Sequence, residues 1–218
     1  MGIFNEKDKS LNWWNKNWFF LGTIAIVIVN VILFAFLGNN WASNPQSQES
    51  YSVLNFSNIF VNFLNCFEHS NWQHCLLNML CFFIVGTYVE RKKGTSNLIG
   101  LVLVFAIIGK SMSVANSLGG AHGFSGINYA LYAFVIVDYI FYIFKKDKAK
   151  VNIVYGAIIM GLIYLAMCYN GGTTGFGFDW YPHDLVNNMG HYTGFVAGLI
   201  IALLVNIVKI QTIKDRKT

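Results

Sequence analysis

Charge is what this sequence has least of. Asp, Glu, Lys and Arg make up 11% of its 218 residues, against roughly 25% in a soluble globular protein. So few charges cannot cover a soluble domain. The apolar residues, 55% of the chain, fall in runs of about twenty rather than in amphipathic stripes. A soluble fold is excluded, and no extramembrane domain is expected within these residues. Proline is scarce, at two residues, and with it go collagen-like architectures and Pro-rich linkers. Four cysteines are too few for a disulfide-stapled scaffold, and 19 phenylalanines exclude a disordered chain. Internal repeats and low-complexity tracts are missing as well.

What remains is hydrocarbon-seeking sequence. A helix rising 1.5 Å per residue needs about 20 apolar residues to cross about 30 Å of lipid. Six stretches meet that length, at about 18–38, 73–89, 97–115, 125–144, 151–169 and 189–209. The first is longer than a signal peptide's apolar core and lacks a small-residue cleavage site, so it reads as a retained span. The expectation is an all-α membrane protein: a tail at 1–17, a six-transmembrane-helix domain at 18–209, and a basic tail at 210–218.

Loops 1, 3 and 5 contain no lysine or arginine, only the acidic Glu49, Glu68, Asp179 and Asp184. Lys7, Lys9 and Lys16 precede span 1, and Arg91, Lys92 and Lys93 follow span 2. Lys145, Lys146, Lys148 and Lys150 separate spans 4 and 5, and Lys209, Lys214, Arg216 and Lys217 close the chain. Positive charge near span ends is retained on the cytoplasmic side, so both termini are expected inside (N-in/C-in), which demands an even number of crossings. Six satisfies it. The net charge of +5 is thereby a topology signal, and no nucleic-acid partner is expected. Short tails favour a bacterial plasma membrane. The first loop, about 39–72, carries Tyr51, Val53, Leu54, Phe56, Ile59, Phe60, Phe63 and Leu64, which suits short helices lying partly in the interface.

Polar side chains inside spans are costly and therefore functional candidates. His74 and Asn78 sit on span 2, Ser125 starts span 4, and His191 falls in the first turn of span 6. His74 is 17 residues from Arg91, Ser125 is 19 from Phe144, and His191 is 18 from Lys209. At 1.5 Å each these are about 26, 29 and 27 Å from the inner boundary. Residues of three spans are thus level in the outer leaflet. Gly190, Gly194 and Gly198 form a small-residue stripe on span 6, opposed on span 4 by Gly126, Ala130 and Ala133; such stripes let backbones approach closely. A serine hydroxyl within reach of an imidazole is the minimum for nucleophilic acyl transfer. That assigns Ser125 as nucleophile and His191 as base. Asn78 and His74 would donate to the oxyanion, together with backbone N–H groups at the helix start. Gly119, Gly120 and Gly123 permit an irregular, backbone-exposing turn before Ser125. Taken singly, each residue also fits a packing or structural hydrogen-bonding role.

The fragments HSNWQHCLLNML (69–80), GTYVERKKG (86–94), GFSGINYALYAF (123–134) and GHYTGFVAG (190–198) together resemble the rhomboid family of intramembrane serine proteases, in family order over nearly the whole chain. The resemblance implies a rhomboid-like six-helix bundle with a Ser125–His191 dyad lacking a third acidic member. It implies that Tyr129 packs against the catalytic histidine, that His74 and Asn78 lie on the oxyanion side, and that Glu90 and Arg91 form a structural motif. It further implies transmembrane protein substrates, cut near the outer ends of their helices, with span 5 and its flanking loops governing access. A non-catalytic, membrane-helix-binding relative is the alternative. The family's first-loop Trp-Arg is replaced here by Phe60 and Val61.

Other polar positions have simpler readings. His69 at the membrane edge suits a structural hydrogen bond, and His122 and His183 lie in external loops. Asp138 should pair with a polar neighbour, and Lys110 can snorkel outward. Cys75, Cys81 and Cys168 read as small apolar residues and Cys66 as external; no spacing supports a bridge. A zinc site of His69, His74 and His191 lacks a carboxylate or cysteine at ligand spacing, so neither metal nor cofactor is expected. The oligomeric state is not encoded in any of these features.

Overall fold

A computed structural model describes residues 20–38, 63–64, 66–69, 71–115, 123–144 and 185–215. The tail at 1–17, the span expected at 151–169, and Phe60, Val61, Gly119, Gly120, His122, Cys168 and His183 lie outside the described residues, as does the side chain of Lys110. Five helices are described: α1 (Leu21–Leu37), α2 (Trp72–Lys93), α3 (Thr95–Ala115), α4 (Ser125–Phe144) and α5 (Leu185–Asp215). Trp72–Lys93 and His191–Val208 are long and apolar enough to cross a membrane; Leu21–Leu37, Thr95–Ile108 and Ser125–Phe141 are shorter apolar helices.

Large aliphatic and aromatic side chains cover the outer faces: Ile28, Ile32 and Phe36 on α1, Leu76 and Leu80 on α2, Ile200, Leu204 and Val208 on α5. The interior holds Thr23, Asn30, Asn78, Glu90, Asn128 and Asn206. That distribution suits lipid as the solvent, in which polar groups must find partners inside the bundle. Asn30 and Asn206 do so locally, donating to the carbonyls of Ile26 and Ala202 one turn back.

Helix ends differ from the sequence expectation by a few residues, and each difference has a local cause. Asn71 caps α2, its side chain accepting from the His74 N–H at 2.8 Å. The helix then continues through Arg91–Lys93, good helix formers at the end favoured by cations, until Gly94 stops it. Gly94 has φ 91° and donates its N–H to the Glu90 carbonyl at 2.8 Å, a conformation open to glycine and poor for other residues. It is also the whole connection to α3.

Glu90 then ties three helix ends together. Its Oε1 accepts from the Gly22 N–H at 2.9 Å and the Thr95 hydroxyl at 2.6 Å. Oε2 accepts from the Thr23 N–H at 2.8 Å and the Thr23 hydroxyl at 2.7 Å. The two N–H groups belong to the first turn of α1, where no intrahelical acceptor exists and negative charge is favoured. Nearby, the Lys93 ammonium pairs with Asp138, joining α2 to α4. The most extensive packing is between α4 and α5. Between them the small-residue stripes face each other, Gly194 against Gly126 and Gly198 against Ala130.

Candidate active site

The site lies where α2, α4 and α5 meet. Gly123 has φ 106°, and a Cβ there would lie 2.9 Å from Cε1 of His74 and 3.4 Å from the Glu68 carbonyl oxygen. Glycine is therefore required on two counts, conformation and space. Phe124 follows, fully buried and edge-on to Phe82 at 5.0 Å and Phe67 at 6.0 Å. These aromatic contacts fasten the turn to α2 and to the end of the first loop. Ser125 is then the first residue of α4, so backbone N–H groups of the opening turn lie beside its hydroxyl.

His191 stands in the second turn of α5, because that helix begins at Leu185 rather than near 189. Its Nε2 is 2.9 Å from Ser125 Oγ, within the range for proton transfer between a nucleophile and its base. For the Ser125 hydroxyl to give its proton to Nε2 that nitrogen must be unprotonated, so the productive tautomer carries its proton on Nδ1. Tyr129, one turn after Ser125, stacks on the imidazole at 4.3 Å with the planes 9° apart. A parallel face at that distance restricts rotation of the ring and keeps Nε2 toward the serine. Both Ser125 and His191 are buried, at 8% exposure each.

His74, in the first turn of α2, is placed by the Asn71 cap and by Gly123. Asn78, fully buried, is one turn further along α2. Gly126 and Gly194 bring the backbones of α4 and α5 together beside the dyad. A Cβ on Gly194 would lie inside van der Waals contact with the Gly126 carbonyl oxygen. Among the described residues no group of three His, Cys, Asp or Glu is arranged to hold a metal ion.

Further polar residues lie buried around the site. His69 is buried, at 1% exposure. Its Nδ1 is 3.2 Å from the Phe67 carbonyl, and its ring lies edge-on to His74 at 5.3 Å. Burial, reinforced by the neighbouring His74, lowers its pKa to about 4, so it is neutral near pH 7. Cys66 is buried too, its thiol directed to the Ala106 carbonyl of α3 at 3.8 Å. In both cases the end of the first loop folds inward. Asn128, which the sequence reading passed over, donates to the backbone oxygen of Asn78 at 3.0 Å and to its Oδ1 at 3.3 Å. An asparagine inside span 4, three residues after Ser125, met the same criterion that selected Asn78.

A model of the rhomboid domain matches residues 56–207. Rhomboid protease GlpG of Salmonella paratyphi A is 26% identical over 153 residues, which is 70% of this chain and 50% of that protein. Proteins of the same name from Salmonella choleraesuis and Salmonella newport match with the same identity and coverage. The chain spans about half the length of the curated relatives it matches. The matched stretch carries the turn at Gly123, the serine at the head of α4 and the histidine it faces on α5; this helical membrane protein belongs to the rhomboid family.

Proposed function

We propose that this chain is an intramembrane serine endopeptidase. It hydrolyses transmembrane segments of other membrane proteins near the outer leaflet, using Ser125 and His191. The observation that carries the reading is the 2.9 Å approach of His191 Nε2 to Ser125 Oγ under the Tyr129 ring.

The chemistry follows from that arrangement. Ser125 Oγ attacks the scissile carbonyl carbon as its proton passes to His191 Nε2. The carbonyl oxygen becomes an oxyanion, met by the Asn78 amide, the His74 imidazole and N–H groups opening α4. The intermediate collapses, the C–N bond breaks, and the leaving amine takes the proton from His191. Water then attacks the acyl-enzyme with His191 again as base, releasing the carboxylic acid and free Ser125. No acidic residue is needed to orient the imidazole, because Tyr129 holds its plane. The membrane setting in this reading is the six-span, N-in/C-in domain over 18–209 in a bacterial plasma membrane, with the bilayer supplying substrate.

A fluorophosphonate should label the protein in membranes at Ser125, and Ser125→Ala should abolish labelling. His191→Ala should stop cleavage of a model transmembrane substrate while the protein remains folded. Labelling that survives Ser125→Ala would sink the proposal, and a wild type that neither labels nor cleaves would favour a non-catalytic membrane-helix-binding protein.

A further inference from the structure

Asn128 is fully buried on α4, three residues after Ser125. Its Oδ1 is buried with no hydrogen-bond partner among the described residues. An apolar residue would avoid that unpaired acceptor, so the amide calls for a use.

The use lies in what Asn128 does to Asn78. Amide nitrogen and oxygen are interchangeable in shape, and only hydrogen bonding tells them apart. Here the assignment is forced. The Asn78 backbone carbonyl, 3.0 Å away, can only accept, so Asn128 must present Nδ2 to it. The same Nδ2 reaches the Asn78 side chain at 3.3 Å, and a donor there requires an acceptor opposite. Asn78 therefore turns Oδ1 toward Asn128 and its N–H donors away. An oxyanion needs those donors, and a reversed amide would present it with a repelling oxygen.

Resting on the serine-protease reading, we propose that Asn128 is a positioning residue for the oxyanion hole, fixing the orientation of the Asn78 amide so that Asn78 donates to the developing oxyanion. Asn128 touches no reacting atom and acts through Asn78.

Asn128→Asp tests this with almost no change of shape, because a carboxylate offers only acceptors to Asn78 and favours the reversed amide. Asn128→Val removes the donor and the buried unpaired acceptor together. Kinetics on a transmembrane model substrate, with fluorophosphonate labelling and thermal unfolding in detergent, should show wild type labelled and active. Asn78→Ala should lower kcat on the order of 10²-fold. Asn128→Asp should lose roughly tenfold or more in kcat with KM unchanged, and Asn128→Val several-fold without loss of thermal stability, both on the same term. Combining either with Asn78→Ala should cost nothing beyond Asn78→Ala alone. Wild type that neither labels nor cleaves overturns the protease reading and this assignment with it. Active wild type with Asn128→Val within twofold of it, or with losses that add to those of Asn78→Ala, overturns the assignment alone. Should Asn128→Asp fail to fold, Asn128→Val and its double variant decide.

Discussion

Replacing Gly194 by alanine should separate α4 from α5, the helices that carry Ser125 and His191. The added Cβ would fall inside contact with the Gly126 carbonyl oxygen, 3.0 Å from its carbon and 3.3 Å from its Cα. Carbon atoms in contact sit about 3.5–4.0 Å apart. The obstacle is helix backbone, which cannot swing aside as a side chain can, so α4 and α5 must part by roughly 1 Å. The dyad bridges this same interface, and its 2.9 Å contact would stretch to about 3.9 Å, beyond the roughly 3.2 Å limit for proton transfer. A displacement of that size costs on the order of 10²-fold in rate. Stability changes less, because overpacking of about 1–3 kcal/mol is offset by about 1 kcal/mol of helix propensity. Gly100→Ala on α3 is the control, since nothing lies within 4 Å of the added Cβ. It should gain up to about 1 kcal/mol and leave activity unchanged. Both variants would be reconstituted in lipid and compared for substrate cleavage, then for thermal unfolding in detergent. Gly194→Ala cleaving within threefold of wild type would refute the claim that backbone contact at this crossing sets the dyad distance.

The remaining expectations concern the bundle's polar fastenings. Glu90→Ala should destabilise by roughly 3–5 kcal/mol, because it strips acceptors from two N–H groups and two hydroxyls at three helix ends, and Glu90→Gln by less; equal unfolding temperatures in all three proteins would contradict it. His69 binds its proton more weakly folded than unfolded, with the folded pKa near 4 against an ordinary 6.5. Its contribution is therefore intact above about pH 6.5 and lost as pH falls toward 4. His69→Gln should flatten that part of the stability profile, and an unchanged slope would exclude His69 as its source. Asp138→Ala, which leaves Lys93 without its carboxylate, should cost about 1–3 kcal/mol, between the values for exposed and buried pairs; a double-mutant cycle with Lys93→Ala isolates the pair.

The legible part of the site was which residues to look for and the level at which to expect them. Ser125, His191, His74 and Asn78 stood out as polar residues in apolar runs, and a fixed rise per residue converts position along a span into height in the bilayer. Rotation about the helix axis leaves no comparable trace. Asn128 escaped notice although its residue type and position were visible, because its meaning depends on facing Asn78. Glu90 could be matched to a motif, but only its contacts with Gly22, Thr23 and Thr95 identify three helix ends that meet. The burial of Cys66 and His69 is hidden for a related reason. A loop position does not say how far a side chain turns inward, and the last residues of the first loop fold against Ala106, Phe34 and His74.

By itself, then, the sequence determined that the chain is a helical membrane protein, because scarce charge and long apolar runs leave no other solvent than lipid, and its four fragments at 69–80, 86–94, 123–134 and 190–198 carry the resemblance to the rhomboid family. Tertiary structure alone decided which side chains touch. In a bundle where lipid and side chains are equally apolar, the hydrophobic effect does not choose the contact faces. Close approach does, at Gly194 on Gly126 and Gly198 on Ala130, and that crossing sets His191 against Ser125.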